Sequence, residues 1–319
     1  MSLSAPRITV VSAHSDPRLP APLNHQVYCR RHGYQYFFDA TPYPLTTVWD
    51  QKLLAMERAL ADRDCDWVFW IDDDAFFAQL DVPLTAVRGR DVDGPWGPAA
   101  DDDRRDLALV ERPELIHVCR SPVNPVGKWS AINAGLLLLR NHETVRDLLR
   151  SIRSTPMDVV KQWWRPEVNG NLYADDGDQE RMQYLICTRG WGPLVALHDP
   201  LAFNARPYHI ADRVDEVFVC HLANFRDKVA GVAAMRERFG LDEFLLPPGA
   251  LADLAPYRHS MFVRMTEPPP VVEPGDQATG VEPVPEPSGD DVRARSSLLA
   301  QARRRAAGLR DRLRQRPES

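Results

Sequence analysis

The sequence is poor in cysteine and lacks the paired spacing on which most cysteine-based sites depend. Its five cysteines are odd in number, and no two of them form a Cys-x-x-Cys pair: Cys29, Cys65, Cys119, Cys187 and Cys220. This pattern argues against both a zinc knuckle and a disulfide framework. We therefore expect reduced thiols, most of them buried.

Long apolar runs are also missing. No stretch approaches the roughly 18 consecutive apolar residues of a membrane-spanning helix. Residues 1–16 have neither the charged start nor the long apolar core of a secretory signal peptide. The sequence predicts a cytoplasmic protein.

Charge and proline divide the chain into three parts. Residues 1–262 mix apolar runs, aromatic residues and scattered charge, as a folded domain should. Glu267 to Asp290 contain six acidic residues and seven prolines but no basic or aromatic residue, which predicts a disordered linker over 263–290. Residues 291–319 carry nine arginines among regularly spaced leucines and alanines, which predicts a basic amphipathic helix. Such a helix docks on an anionic membrane or a partner protein, or it is merely solvated. The net charge of −6 gives no indication of a nucleic-acid partner.

The most informative stretch is the apolar run Trp67–Ile71, which leads directly into the three carboxylates Asp72–Asp74. A short run of this kind is typical of a strand buried on both faces, and adjacent anions could not be buried within it without neutralisation. We therefore place the three carboxylates at the carboxyl end of the strand, the edge where α/β sheets bind ligands. Hard oxygen ligands there suit Mg²⁺ or Mn²⁺ carrying a substrate phosphate. The alternative is a solvated acidic turn, which is our interpretation of residues 101–103.

The surrounding pattern predicts an α/β domain in which strands and helices alternate. Apolar and β-branched runs predict strands over 7–12, 34–38, 131–140 and 217–220. Helical spacing predicts helices over 24–32, 48–61, 143–152 and 178–186, with a loop over 163–176. The strand, helix, strand, helix, strand order up to Asp72 predicts a right-handed βαβ sheet.

Five short motifs carry a family resemblance through their order and spacing. They are Trp49-Asp50-Gln51-Lys52, Trp70-Ile71-Asp72-Asp73-Asp74-Ala75, Asn133-Ala134-Gly135 with the leucines up to Asn141, Asp178-Gln179 and Cys220-His221. Together with His32-Gly33-Tyr34 they resemble the galactosyl/mannosyl/xylosyl transferase family of fungal Golgi enzymes and plant xyloglucan xylosyltransferases, over roughly residues 7–245. The resemblance implies a GT-A fold, Mn²⁺ or Mg²⁺, and transfer of a hexose or pentose with retention of configuration. It also implies a UDP- or GDP-sugar donor and a carbohydrate or small-molecule acceptor.

The resemblance also implies roles for particular residues. Asp72 and Asp74 match the Asp-x-Asp metal ligands of the family, and His221 matches its late histidine ligand. Asp178 and Gln179 match the pair near the anomeric carbon, and Arg226 stands where the family has a lysine. The expected nucleotide-sugar contacts are Lys52, Asp73, Asn133, Ala134, Gly135 and Lys228. Ser12, Ala13 and His14 are added to these because they end the first strand.

Each of these residues also has a structural explanation. His221 could be a core histidine, Asp178 an N-cap or first-turn acid, and Asn133 to Gly135 a tight turn. Arg226 and Lys228 could be surface charges, and Asn224 replaces a glycine that is common in the family.

Two other functions remain open from the sequence. A strand followed by Asp-x-Asp also occurs in haloacid-dehalogenase-type phosphatases, although Phe76 and Phe77 depart from that pattern and no GDxxxD pair follows. The second alternative is a non-catalytic nucleotide-sugar-binding or scaffold protein of the same fold.

Overall fold

The computed structural model describes residues 5–14, 19–39, 48–99, 104, 106–124, 126–174, 177–209, 213–223, 225, 227–239 and 263–264. The predicted helix over 291–319 lies outside these ranges, as do the acidic triplet 101–103 and all but two residues of the predicted linker. The three-part division of the chain therefore stays a prediction.

The central feature is a sheet of seven strands in the order β7-β5-β6-β3-β1-β2-β9. A second sheet pairs β4 with β8. The strands are β1 (Ile8–Ala13), β2 (Gln35–Asp39), β3 (Trp67–Ile71), β4 (Ala75–Phe77), β5 (Ile116–Ser121), β6 (Ser130–Arg140), β7 (Val195–His198), β8 (Val219–His221) and β9 (Val263–Arg264).

Strand direction decides which edge of the large sheet gathers functional residues. Strand β1 runs parallel to β2 and β3, whereas β6 runs antiparallel to β3. Strand β5 runs antiparallel to β6, and β7 runs parallel to β5. The carboxyl ends of β1, β2, β3, β5 and β7 therefore share one edge, which is where α/β sheets bind ligands.

Seven helices surround the sheet among the described residues. They are α1 (Ala21–His32), α2 (Val48–Leu60), α3 (Glu143–Ser154), α4 (Met157–Trp163), α5 (Pro166–Asn169), α6 (Asp178–Thr188) and α7 (Lys228–Phe239). Helix α1 ends at Gly33, whose φ of 69° is the left-handed conformation that favours glycine at a helix C-terminus. The predicted strand and helix order up to β3 is confirmed.

Strand β3 is buried on both faces, as its sequence predicts. Phe69 and Ile71 pack into one apolar core with α1 and the small sheet. Val68 and Trp70 pack into a second core with α2, α3 and α6. Alternate side chains of a strand point to opposite faces, so this one strand joins the two cores.

A buried polar cluster ties the loop at Asp91 to strands β5 and β7. Arg112 binds Asp91 through two hydrogen bonds of 2.9 Å and lies 3.3 Å from Glu114. His198 lies 3.4 Å from Asp91 and 3.1 Å from His117. Burial lowers the pKa of His198 to about 3, and burial likewise lowers the pKa of His117 well below its ordinary value. Both imidazoles are therefore neutral in the folded protein near pH 7.

Several details depart from the sequence prediction. Strands β4, β5, β7 and β9 and helix α4 were not predicted, and β9 falls within the predicted linker over 263–290. The predicted loop over 163–176 contains the short helix α5. The strand predicted over 217–220 begins at Val219 and belongs to the small sheet. None of the described helices combines the length and apolar character that crossing a membrane requires.

Candidate active site

A cleft of about 430 Å³ opens at the carboxyl ends of β1 and β3. It is bordered by the middle of β6 and the start of α6, which bring four distant parts of the sequence together. The cleft is lined by Ala13, His14, Trp49, Lys52, Trp70, Asp72, Asp73, Asp74, Asn133, Ala134, Gly135, Leu172, Ala174, Gly177, Asp178, Gln179, Glu180, His221, Ala223 and Lys228.

Two of the three carboxylates meet His221 inside this cleft. The Nε2 atom of His221 lies 3.0 Å from Asp74 Oδ1 and 3.7 Å from Asp72 Oδ2. Backbone pairing produces this contact, because β4 begins directly after Asp74 and Ala75 pairs with His221 of β8. The small sheet therefore carries the imidazole to the end of β3.

Asp72, Asp74 and His221 form a donor set that fits a divalent cation. One ligand atom from each residue lies within 4.8 Å of the other two. Two carboxylate oxygens and one imidazole nitrogen are ligands that Mn²⁺ accepts, and the oxygens also suit Mg²⁺. These three residues would hold the ion on one side and leave its other positions open to a substrate.

Asp74 also has a cationic neighbour, Lys228 at the start of α7, whose Nζ lies 2.6 Å from Asp74 Oδ2. Burial raises the pKa of Asp74, but His221 and Lys228 outweigh that effect and hold the pKa below its usual range. Asp74 is therefore ionised, as a metal ligand must be.

Asp73 faces a different neighbour, since its Oδ2 lies 3.5 Å from His14 Nε2. Burial raises the pKa of Asp73 to about 7, and the charges of Asp74 and Asp72 add to that effect. Three adjacent carboxylates thus repel one another when no cation is bound.

Lys52 of α2 is a buried cation between two of the predicted site residues. Its Nζ lies 3.0 Å from Asp178 Oδ2 and 3.6 Å from Asp72 Oδ1, and it donates a hydrogen bond to the carbonyl of Ala134. Burial alone lowers the pKa of Lys52, but Asp178 and Asp72 raise it above its ordinary value. Asp178 is therefore engaged as an ion-pair partner. It is the first residue of α6, so it is a first-turn acid and not the N-cap, which is Gly177.

Gln179 is fixed on both sides of its amide. Its Oε1 accepts a hydrogen bond from the Ala134 N–H at 3.1 Å, and its Nε2 donates to Ser130 Oγ at 3.2 Å. These contacts hold the side chain against β6, so its position in the cleft is defined before a substrate arrives.

Gly135 has a packing role that the sequence did not predict. A Cβ atom at this position would lie 2.1 Å from the Cε1 atom of His221. Only glycine leaves room for the imidazole, so Gly135 admits His221 to the end of β3. The tight-turn explanation is wrong, because Asn133, Ala134 and Gly135 all lie within strand β6.

Two predicted contacts are placed differently. The side chain of Ser12 is fully buried, and its hydroxyl lies 2.6 Å from that of Tyr36. Successive residues of β1 face opposite sides of the sheet, so Ser12 points away from the cleft that Ala13 lines. His14, which follows the end of the strand, also lines the cleft. Arg226 lies outside the described residues.

Several cleft residues were not given roles from the sequence. Trp70 donates a 2.7 Å hydrogen bond from Nε1 to Asp72 Oδ1, and its place two residues before Asp72 could have suggested this contact. Glu180 is buried, accepts from the Ala174 N–H at 3.2 Å, and has no partner for its Oε2 among the described residues. Burial raises the pKa of Glu180 to about 7. Its third position in α6 looks like an ordinary first-turn acid, so the sequence held no distinguishing signal.

Comparison with known proteins now adds to this geometry. A model of the galactosyl transferase GMA12/MNN10 family matches residues 21–192, a range that contains the Asp-x-Asp motif, β6 and α6. The chain belongs to this family. Its mixed α/β sheet, with the Asp-x-Asp segment between the parallel and antiparallel halves, confirms the GT-A fold that the resemblance implied.

Plant proteins are among the curated relatives. Probable glycosyltransferase 6 of Oryza sativa subsp. indica is 26% identical over 220 residues, which is 66% of this chain and 41% of the rice protein. Putative glycosyltransferase 7 of Arabidopsis thaliana is 26% identical over 166 residues, which is 50% of this chain and 32% of that protein. The chain thus spans less than half the length of these relatives.

Among solved structures, similarity extends to a glycosyltransferase involved in the glycosylation of the major capsid of PBCV-1. That match has 15% identity and a TM-score of 0.48, and it covers 73% of this chain and 100% of the other. The glycosyltransferase GlyE of Streptococcus pneumoniae TIGR4 matches with 13% identity and a TM-score of 0.40, covering 77% of this chain and 66% of that one.

Proposed function

We propose that this protein is a metal-dependent glycosyltransferase. It would move a hexose or pentose from a nucleotide-diphosphate sugar, such as a UDP- or GDP-sugar, to a carbohydrate or small-molecule acceptor. The observation that carries the proposal is the convergence of Asp72, Asp74 and His221 at the sheet edge where α/β proteins bind nucleotides. Membership of the galactosyl transferase family supports it, and leaves the phosphatase alternative without support.

The chemistry needs negative charge to be stabilised where the diphosphate leaves. A bound Mn²⁺ or Mg²⁺ would supply most of that stabilisation as a Lewis acid. Asp72, Asp74 and His221 would hold the ion, and Lys228, on the other side of Asp74, would place a second cation beside the diphosphate. Lys52 would hold Asp178 and Asp72 in position through its two ion pairs.

On the sugar side we propose retention of anomeric configuration. Asp178 is tied to Lys52 at 3.0 Å, and Gln179 is an amide, which is a poor covalent nucleophile. Neither side chain suits a covalent glycosyl intermediate. A same-face, ion-pair-like displacement fits better, with the second lone pair of Gln179 Oε1 stabilising the positive charge on the sugar.

A nucleotide-sugar screen tests the proposal directly. Thermal shifts of the full chain would be measured with UDP- and GDP-sugars, with Mn²⁺, with Mg²⁺ and with EDTA. A ligand at 100 times its dissociation constant stabilises the folded state by about 2.7 kcal/mol, which such an assay resolves. The expected result is a shift that requires both a nucleotide sugar and the metal, followed by release of the nucleoside diphosphate when an acceptor is added. Binding without turnover across a broad acceptor panel would favour the scaffold alternative.

We also propose that the protein acts in the cytoplasm and that residues 291–319 bind an anionic membrane surface. The nine arginines against three acids of this segment support attraction to anionic lipids. Deleting it should reduce binding to phosphatidylserine vesicles without changing turnover of a soluble acceptor. Equal vesicle binding by both forms would contradict the membrane contact and would direct attention to a protein partner.

A further inference from the structure

Two residues that the function above does not use lie directly behind His221. Asn204 is fully buried and Arg206 is 3% exposed, and both lie in the segment between β7 and β8. The Nδ1 atom of His221 lies 3.0 Å from the Oδ1 atom of Asn204. The position of the proton in this contact decides which imidazole nitrogen keeps a lone pair.

The direction of that hydrogen bond follows from the groups at the far side of Asn204. Arg206 donates from Nη1 to Asn204 Oδ1 at 2.5 Å and to the Asn204 carbonyl at 3.2 Å. A guanidinium can only donate. The atom of Asn204 that faces both Arg206 and His221 must therefore be the amide oxygen.

The opposite end of the same amide gives an independent check. Asn204 Nδ2 donates to Asn133 Oδ1 at 2.9 Å, and the Gly135 N–H donates to that same oxygen at 3.2 Å. A backbone N–H also can only donate, so Asn133 presents its oxygen and Asn204 presents its nitrogen there. The donor-only groups at the two ends are the Gly135 N–H and the Arg206 guanidinium. They thus fix the orientation of both side-chain amides between them, Asn133 and Asn204.

One consequence follows for His221. Because Asn204 offers it only an acceptor, the Nδ1 atom carries a proton in this contact, which leaves Nε2 as the nitrogen that can give its lone pair to a cation. That nitrogen is the one 3.0 Å from Asp74 and 3.7 Å from Asp72. We call the hydrogen bonds from Arg206 through Asn204 to His221 the relay. The relay holds His221 in the tautomer that a metal ligand needs.

Arg206 is unusual because it is a buried cation with no ion-pair partner among the described residues. Its Nη2 atom is buried without a hydrogen-bond partner there, and burial lowers the pKa of its guanidinium. A buried charge without an ion-pair partner is destabilising. The nearby Asp74 is one of the anions that favour its charged form.

We propose that Asn204 and Arg206 are positioning residues that fix the tautomer and orientation of His221 and thereby set the affinity for the divalent cation. This inference rests on the proposed function for the identity of the metal site, but the tautomer of His221 can be measured without any metal. Neither residue needs to touch the substrate.

The experiment combines metal binding with nuclear magnetic resonance of the metal-free full chain. Mn²⁺ titration would be followed by electron paramagnetic resonance, and imidazole ¹⁵N shifts would report which nitrogen of His221 is protonated at alkaline pH. In the wild type the neutral imidazole should carry its proton on Nδ1. Asn204→Leu should lose this preference and bind Mn²⁺ about 10- to 100-fold more weakly, the usual cost of removing a partner of a metal-bound histidine.

Two further variants keep the test decisive if Asn204→Leu does not fold. Asn204→Asp keeps an acceptor for Nδ1–H and should keep the tautomer with Mn²⁺ affinity within a few-fold of the wild type. Arg206→Met removes one of the two groups that orient the Asn204 amide, so it should shift the tautomer only in part and should lower the Mn²⁺ affinity less than Asn204→Leu does.

The chain supplies a matched control in Asn141 and Arg146. Arg146 donates to Asn141 Oδ1 at 2.5 Å, which is the same type of pair, but at the end of β6 remote from the cleft. Asn141→Leu and Arg146→Met should cost stability without changing Mn²⁺ affinity or the His221 tautomer.

The outcomes separate the two proposals. A folded Asn204→Leu protein with wild-type Mn²⁺ affinity, or a wild-type His221 protonated on Nε2 when neutral, would overturn the relay. A wild type that binds no Mn²⁺ but shows the Nδ1–H tautomer would overturn the metal-dependent function and leave the relay standing.

Discussion

Replacing Asp74 with asparagine gives the sharpest test of the candidate site. The change keeps the size of the side chain but removes the charge that lies 3.0 Å from His221 Nε2 and 2.6 Å from Lys228 Nζ. If Asp74 binds the metal, its loss removes stabilisation that matters most when charge develops on the leaving diphosphate. Such a contact is worth about 3 to 4 kcal/mol, so kcat should fall on the order of a hundred- to a thousandfold.

The stability of the same variant should change little. The Lys228 side chain is 43% exposed, so its pair with Asp74 is screened and contributes about 1 kcal/mol or less. Removing the Asp74 charge also relieves repulsion with Asp72 and Asp73. In a domain of this size 1 kcal/mol shifts the melting temperature by about 2 to 4 °C. The metal-free variant should therefore melt within a few degrees of the wild type.

Turnover, Mn²⁺ affinity and thermal melting of the Asp74→Asn variant would be measured side by side. Asp81→Asn is the matched control, because Asp81 is a 91% exposed carboxylate that pairs with Arg31 at 2.6 Å and does not line the cleft. It should leave all three quantities unchanged. Activity that survives EDTA, or an Asp74→Asn protein that is simply unfolded, would refute the assignment of the three aspartates to a metal site.

Three further predictions concern stereochemistry and pH. NMR of the first-formed product should show retained anomeric configuration, and an inverted product would contradict the role given to Gln179. The neutral, buried His117 and His198 take up protons only on unfolding, so the free energy of unfolding should fall as pH drops below about 6.5; denaturation from pH 8 to 5 would show this, and a double glutamine variant should lose part of the slope. Because burial raises the pKa of Glu180 to about 7, its carboxyl destabilises the fold as pH rises from about 4.5 to 7; Glu180→Gln should remove that decline, and an unchanged pH profile would mean that the carboxyl is not buried in solution.

The elements that sequence reasoning found are those with a strong local pattern. Strand β3 was predictable because five consecutive apolar residues leave no alternative face for solvent, and α2 because its apolar residues recur at helical spacing. Strands β5 and β7 lack such a pattern. Strand β5 carries His117 and Arg120 among its apolar residues, and it follows a segment rich in proline, glycine and charge.

The candidate site was predictable only in part for a similar reason. Asp72 and Asp74 follow from the strand that precedes them, whereas His221 came from a family resemblance. Asn204 and Arg206 could not be found, because a buried polar pair in an irregular segment leaves no periodic signal. Their role depends on contacts with Asn133 and His221, which lie far away in the sequence.

The pairing of β4 with β8 makes the site a late product of folding. Ala75 and His221 meet across most of the folded domain's sequence, and closing so long a loop carries an entropic cost that only a largely formed core can offset. An amino-terminal fragment ending before β8 would hold both aspartates but no imidazole. If the site binds a metal as proposed, a nascent or truncated chain could not load it ahead of its fold, and metal affinity would report whether the entire domain has assembled.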